Sequence, residues 1–253
     1  DDETSRGLGD VYKRQVLSSA AVISTMPALA ASGDAVDLSA RLQLALNADD
    51  RVQALSALMA PDQASTLIER FRRFSMRFPE TRWAVRPAQA LDDGRPTVQL
   101  AVSGTRQQDG LSYSFKANQR LAFSTQAGLI TAQEVLSDQS VLTSSKKPLP
   151  ISLLIPDTVL TGSRYDVDVV VDQPLGKAML AGGLTSVTAQ QVLVQESPDV
   201  QLEPLGGGGL FKSVQAPFQP GIQTWAALLV HPDGVITVSK RVQVVDDKSK
   251  LNP

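Results

Sequence analysis

The chain has 253 residues, no cysteine, a single histidine and a net charge of −2, with 42% apolar and 20% charged residues. Zero Cys excludes disulfides, thiolate metal sites, a cysteine nucleophile and a lipidated N-terminal cysteine, and one His excludes any centre built on two imidazoles. The near-neutral balance gives no whole-protein field for nucleic acid, and the length suits one or two domains with real cores.

Residues 1–15, DDETSRGLGDVYKRQ, carry no apolar period and are expected to be foreign to the rest of the chain, in the manner of translated adaptor sequence. From Val16 the chain reads VLSSAAVISTMPALAA, a short uncharged apolar run closed by Ala28-Leu29-Ala30. That pattern predicts a secretory signal peptide over 16–30 and an exported protein, periplasmic or extracellular. The run is too short for a membrane helix, which needs about 20 apolar residues, and no later segment spans a bilayer.

From Val36 to Phe78 the period is helical. Leu38, Leu42 and Leu46 fall on one face, Asp49 or Asp50 caps a second helix carrying Val52, Leu55 and Met59, and Pro61 opens a third. Leu67, Phe71, Phe74 and Phe78 are the apolar stripe of that third helix. After Pro79 the period becomes two. Strands are predicted around Trp83–Val85 and Val98–Val102, along a bent Leu111–Phe123, and over Leu129–Leu136, with Asp92-Asp93-Gly94, Asp109-Gly110 and Ala127-Gly128 as turns. Residues 35–142 are therefore expected to be an α+β domain, three helices on a curved four-stranded antiparallel sheet.

Residues 143–150, TSSKKPLP, read as a linker. Beyond them the chain predicts only strands: Ile151–Ile155, Tyr165–Val171, Ala178–Thr188, Val192–Glu196, Leu210–Ala216, Thr224–His231 and Val235–Val245. That pattern gives an all-β sandwich over 151–246, then a charged tail over 247–253.

The passages LSARLQLALNADDRVQALSALMAPD, RFRRFSMRFPETRWAV and LSYSFKANQRLAFS resemble in layout the nuclear-transport-factor-2-like (SnoaL-like) superfamily, with a cystatin-like arrangement as the near alternative. The resemblance implies helices against a curved sheet able to form a cone-shaped pocket, whose active members commonly use Asp, Glu, His or Tyr. The ending PGIQTWAALLVHPDGVITVSKRVQVV resembles the last hairpin of a bacterial immunoglobulin-like or fibronectin-III-like sandwich, without the Cys pair of antibody domains. Neither resemblance fixes a function.

Trp83 and Tyr113 are the polar-tipped residues expected to face a pocket, with Gln119, Glu134 and Asp138 as further candidates near the sheet. A ketosteroid-isomerase-like site needs a carboxylate base and an oxyanion hole, and no pair at recognisable spacing supplies both. Between 69 and 86 stand Arg70, Arg72, Arg73, Arg77, Arg82 and Arg86 against Glu69 and Glu80, six positive charges against two negative for a local net of +4. Arg70, Arg73 and Arg77 share a helix face and Arg82 and Arg86 one strand side, a docking surface for an anion or partner or else a solvated face. Asp166, Asp168 and Asp172 alternate along a strand and could join a cation only with loop carbonyls that the sequence does not concentrate there. His231-Pro232-Asp233-Gly234 reads as a hairpin turn without a nucleophile elbow, and Gly206–Gly209 lacks the Lys-Ser/Thr of a phosphate loop.

No catalytic, metal or cofactor set emerges. The expectation is a non-catalytic binding or structural-interaction protein of the cell envelope. The alternatives are a small-molecule or enzymatic pocket (isomerase- or hydrolase-like) in the first domain, and a periplasmic assembly factor. The partners this leaves are an envelope protein, a polysaccharide, a small ligand, or a second copy meeting through the first sheet; nucleic acid is not among them.

Overall fold

The structure is a computed structural model that describes residues 33–108, 111–145, 149–172, 180–194 and 198–251. The foreign segment expected at 1–15 and the leader expected at 16–30 lie outside the described residues.

Three helices open the described chain: α1 (Gly33–Leu46), α2 (Arg51–Ser56) and α3 (Pro61–Arg77). α1 buries Ala35, Leu38, Leu42, Ala45 and Leu46 along one side, the spacing of a helix that covers a core. Asp50 caps α2, its carboxylate accepting from the Gln53 N–H at 2.9 Å. α3 has no side-chain cap and begins on Pro61, whose missing N–H would be an orphan there anyway.

Twelve strands follow, interrupted by one short helix. They are β1 (Glu80–Ala88), β2 (Thr97–Gln108), β3 (Leu111–Gln126), β4 (Leu129–Ser145), β5 (Ile151–Leu154), β6 (Thr158–Leu160), β7 (Arg164–Val171), β8 (Leu180–Val187), then α4 (Ala189–Val194), and β9 (Glu203–Leu205), β10 (Gly209–Gln215), β11 (Gly221–His231) and β12 (Gly234–Val245). A nine-stranded sheet runs β1-β2-β3-β4-β12-β11-β8-β9, with β6 parallel to the end of β12, and a second sheet runs β10-β7-β5.

This corrects the expected fold class. The protein is mostly β, and β1–β4 are not a four-stranded sheet of their own in an α+β domain. β4 continues nine residues past Leu136, and Asp138–Ser145 pair with Gly234–Arg241 of β12. Of the strands expected to form a separate immunoglobulin-like sandwich, β6, β8, β9, β11 and β12 extend the same sheet, and β5, β7 and β10 form the second one. The strand expected over Val192–Glu196 is replaced through Val194 by α4, which Thr188 caps by accepting from Gln191 N–H. β6 and β9, three residues each, have no sequence signal long enough to alternate.

The two hydrophobic cores lie on opposite faces of the nine-stranded sheet. β12 shows why. Ile236, Val238, Val242 and Val244 are buried with Val167, Val169 and Leu210 of the three-stranded sheet, while Thr237, Ser239 and Arg241 alternate onto the other face. That other face continues across β4 to β1, where Val98, Leu100, Leu121 and Phe123 pack under α1 and α2. Each fully buried Leu or Phe there contributes about 1.5–3 kcal/mol. Close packing also fixes Gly209: a Cβ would lie 2.3 Å from the Val169 carbonyl, so the four-glycine run ends where β10 must approach β7.

Two details shape the helix side. β1 is an edge strand, and α1 closes its free backbone groups: Gln43 and Asn47 both donate to the Trp83 carbonyl, and Gln43 accepts from the Val85 N–H. β4 carries two bulges opposite β3, at Leu136 and Thr131, which bend the sheet around the helices.

Candidate functional site

A cavity of about 330 Å³ lies between the helices and the β1–β4 part of the sheet. Its walls are almost wholly apolar: Leu42, Leu46, Leu55 and Met59 from the first two helices, Leu67, Phe71 and Phe74 from α3, and Trp83, Leu100 and Phe115 from the strands. The aromatic side is built from ring contacts. Trp83 stands 5.7 Å from Phe71 and 5.6 Å edge-on to Phe74, and Phe74 lies 5.2 Å from Phe115. The Trp83 indole N–H is not free, since it donates to the Thr81 hydroxyl at 3.2 Å.

The polar groups on the wall are few and come together. Val85, Leu100, Gln119, Asp138 and Arg241 oppose one another in turn across β1, β2, β3, β4 and β12. Directly opposed residues present their side chains on one face of a sheet. The row therefore passes from apolar to polar toward β12. Gln119 Nε2 donates to Asp138 Oδ1 at 3.1 Å, and Ser140 and Gln133 complete the polar part of the lining. The Leu136 bulge shifts the alternation of β4 by one residue. Hence Asp138 and Ser140 on one side of it and Gln133 on the other all face the cavity. Burial pushes the Asp138 carboxyl above its ordinary range, opposed by the Gln119 hydrogen bond and the charges of Arg241 and Lys240.

Of the pocket candidates named from sequence, Trp83, Gln119 and Asp138 line this cavity together. Tyr113 does not. It stacks under Arg106, whose guanidinium carbon lies 4.7 Å from the Tyr113 ring and 5.3 Å from the Phe78 ring. Glu134 lines a second cavity of about 360 Å³ and is held by Arg95 at 2.8 Å, which also pairs with Asp93 at 2.7 Å. Sequence reasoning missed Arg241, which lines that second cavity, and it read Phe71, Phe74 and Phe115 as core rather than as walls. The signal for Arg241 was the polar alternation Thr237, Ser239, Arg241, Gln243, indistinguishable in sequence from an ordinary solvent face.

The arginines are divided between two surfaces. Arg72, Arg73 and Arg77 are exposed on α3, where Arg73 meets Glu69 at 3.6 Å, whereas Arg82 and Arg86 are exposed on the sheet face turned away from the helices. The Arg70 side chain lies outside what the structure describes. Asp166 and Asp168 sit on β7, opposite Ser213 and Phe211 of β10, and Asp172 just follows that strand. Among the described residues no three acidic or imidazole groups converge as metal ligands. His231 closes the β11–β12 hairpin, its Nδ1 accepting from the Asp233 N–H at 3.0 Å. No helix among the described residues is long and apolar enough to cross a membrane.

The family described as a domain of unknown function (DUF8623) matches residues 146–245, from just before β5 to the end of β12. Arg241 lies inside that stretch, and the cavity residues from Leu42 to Ser140 lie outside it. No curated protein matches the chain.

Proposed function

We propose that the protein is a binder of small apolar molecules, which enter the cavity between α1–α3 and β1–β4 and turn a polar group toward the side marked by Gln119, Asp138 and Ser140. The observation that carries this is a cavity with aromatic and aliphatic walls and a single convergent polar row, at about 330 Å³ within the size range of ligand sites. An envelope setting is part of the proposal and rests on the leader-like stretch at 16–30.

The test is binding of the neutral probe N-phenyl-1-naphthylamine, whose emission rises in apolar surroundings. The wild-type chain is expected to bind it, and Ala117→Phe, which projects a ring into the cavity, is expected to remove binding while the far-ultraviolet circular dichroism stays unchanged. Equal binding by a folded Ala117→Phe variant would place the probe elsewhere and defeat the reading.

Proton transfer is the second reading, favoured by one observation: a half-buried carboxyl on the cavity wall, Asp138, whose pKa burial raises above its ordinary value. It lacks a second group. Tyr113 is engaged by Arg106 outside the cavity lining, and the lining contains no histidine. Binding is therefore preferred over catalysis.

A further inference from the structure

We propose that the molecule bound in this cavity is an amphipathic monocarboxylate, its apolar body among Phe71, Phe74 and Leu100 and its carboxylate on the guanidinium of Arg241. The proposal rests on the ligand-cavity reading above and names the ligand class.

The apolar cavity adjoins a second one. Met59, Leu67 and Gln133 line both it and the second cavity of about 360 Å³, so the two are neighbouring chambers with a shared wall. Arg241 lines the second chamber together with Gln63, Gln133 and Glu134. It stands opposite Asp138 on the same face of the sheet. Among the described residues Arg241 has neither an ion-pair nor a hydrogen-bond partner, and its Nε is buried with none. Folded chains rarely leave a buried guanidinium donor without an acceptor, because its lost hydration is then not replaced.

The neighbouring carboxyl groups of Asp138 and Glu134 attract Arg241 electrostatically, but neither forms a close ion pair with it. Glu134 is engaged by Arg95 at 2.8 Å. Asp138 already accepts from Gln119. Lys240 points to the opposite face and pairs with Asp157. What remains is one positive group in the chamber beside the apolar one, flanked by two carboxyl groups. A single negative charge suits it. A phosphate dianion would meet the repulsion of Glu134, a neutral head would leave the guanidinium unpaired, and an ammonium head would be repelled by it. The side-chain amides of Gln63 and Gln133 offer further donors to a carboxylate.

The experiment compares decanoate, decanol and decylammonium, which share a chain and differ in head group, by displacement of N-phenyl-1-naphthylamine from the full chain at pH 8. Decanoate is expected to bind at least tenfold more tightly than decanol. Arg241→Gln is expected to erase that preference by weakening decanoate alone, and Arg241→Lys, which keeps the charge, to retain it. Equal affinities for decanoate and decanol in the wild type would overturn the carboxylate assignment and leave the apolar cavity reading standing. Tightest binding of decylammonium would overturn it in favour of Asp138 as the head-group partner. Binding of none of the three would overturn both readings. The wild-type comparison alone decides the matter should either Arg241 variant fail to fold.

Discussion

Gln119 donates its side-chain amide to Asp138 across β3 and β4, 3.1 Å from Nε2 to Oδ1, and both side chains stand on the wall of an otherwise apolar cavity. The hydrogen bond favours the charged carboxylate and burial disfavours it, and burial is the larger effect, so the Asp138 pKa is raised. A carboxyl whose pKa rises on folding contributes stability below its unfolded value of about 3.9, and loses that contribution as pH climbs through the folded pKa. Asp138→Asn keeps the acceptor for Gln119 and never ionises. It is expected to melt above the wild type at pH 7, with the difference closing as pH falls toward about 4. Differential scanning calorimetry across that range checks this, and a difference independent of pH would mean that Asp138 is not destabilised by burial.

The second prediction comes from one sheet carrying two cores. The chain has two tryptophans, Trp83 on the cavity side and Trp225 in the core between the sheets, so each core has its own fluorescent reporter. Because β4 and β12 pair along eight residues and present side chains to both sides, the cores should unfold together. Leu229→Ala, at a side chain with 0% exposure, is expected to cost about 2–5 kcal/mol and to lower the urea midpoint seen by either tryptophan equally. Trp83→Phe and Trp225→Phe backgrounds isolate the reporters. A shift confined to Trp225 would show that the two sides fold independently.

That relationship is also where sequence reasoning ran out. The helical stripe Leu38, Leu42, Leu46 and the odd-numbered residues of β3 are legible because each repeats a period over many residues. The end of β4 is not. Past Leu136 the sequence is Ser-Asp-Gln-Ser, polar at every position, and it is held as a strand between β3 on one side and β12, about 100 residues further on, on the other. Asp138 and Gln119 were nameable from residue type, but their meeting depends on the β3–β4 register, which the Leu136 bulge resets. Arg241 was invisible for the same reason: alternation tells that a residue faces away from the core beside it, and cannot tell that a second core lies on that other side.

A third expectation concerns the core between the sheets. Trp225 Nε1 donates to the Tyr165 hydroxyl at 2.9 Å, and that hydroxyl donates to Gln223 Oε1 at 2.6 Å. Tyr165→Phe strands a buried indole N–H, at about 1–3 kcal/mol. The urea midpoint is expected to fall with the slope unchanged. The same substitution made in a Trp225→Phe background should cost less, since no indole donor is then left unpaired. Equal costs in both backgrounds would assign the loss to packing alone.

The last expectation turns on Lys240, which lies among Val238 and Val242 on the side of β12 facing the three-stranded sheet and is only 4% exposed. Its ammonium reaches the carboxylate of Asp157, whose side chain is 54% exposed. The two partners are therefore unequal. Removing the acid leaves a buried cation with no counter-charge, whereas removing the cation leaves a carboxylate that water already reaches. Asp157→Ala is expected to destabilise by about 1–3 kcal/mol, reduced from the cost of a fully enclosed pair because solvent enters from the Asp157 side. Lys240→Met, similar in length and apolar like its neighbours, is expected to be close to neutral. Urea denaturation of both single variants and the double variant decides it. The double variant should recover most of the loss seen in Asp157→Ala, because the unpaired ammonium that causes the loss is gone. A larger loss in Lys240→Met than in Asp157→Ala would mean that the lysine stem's own packing, and not its charge, is what β12 requires at that position.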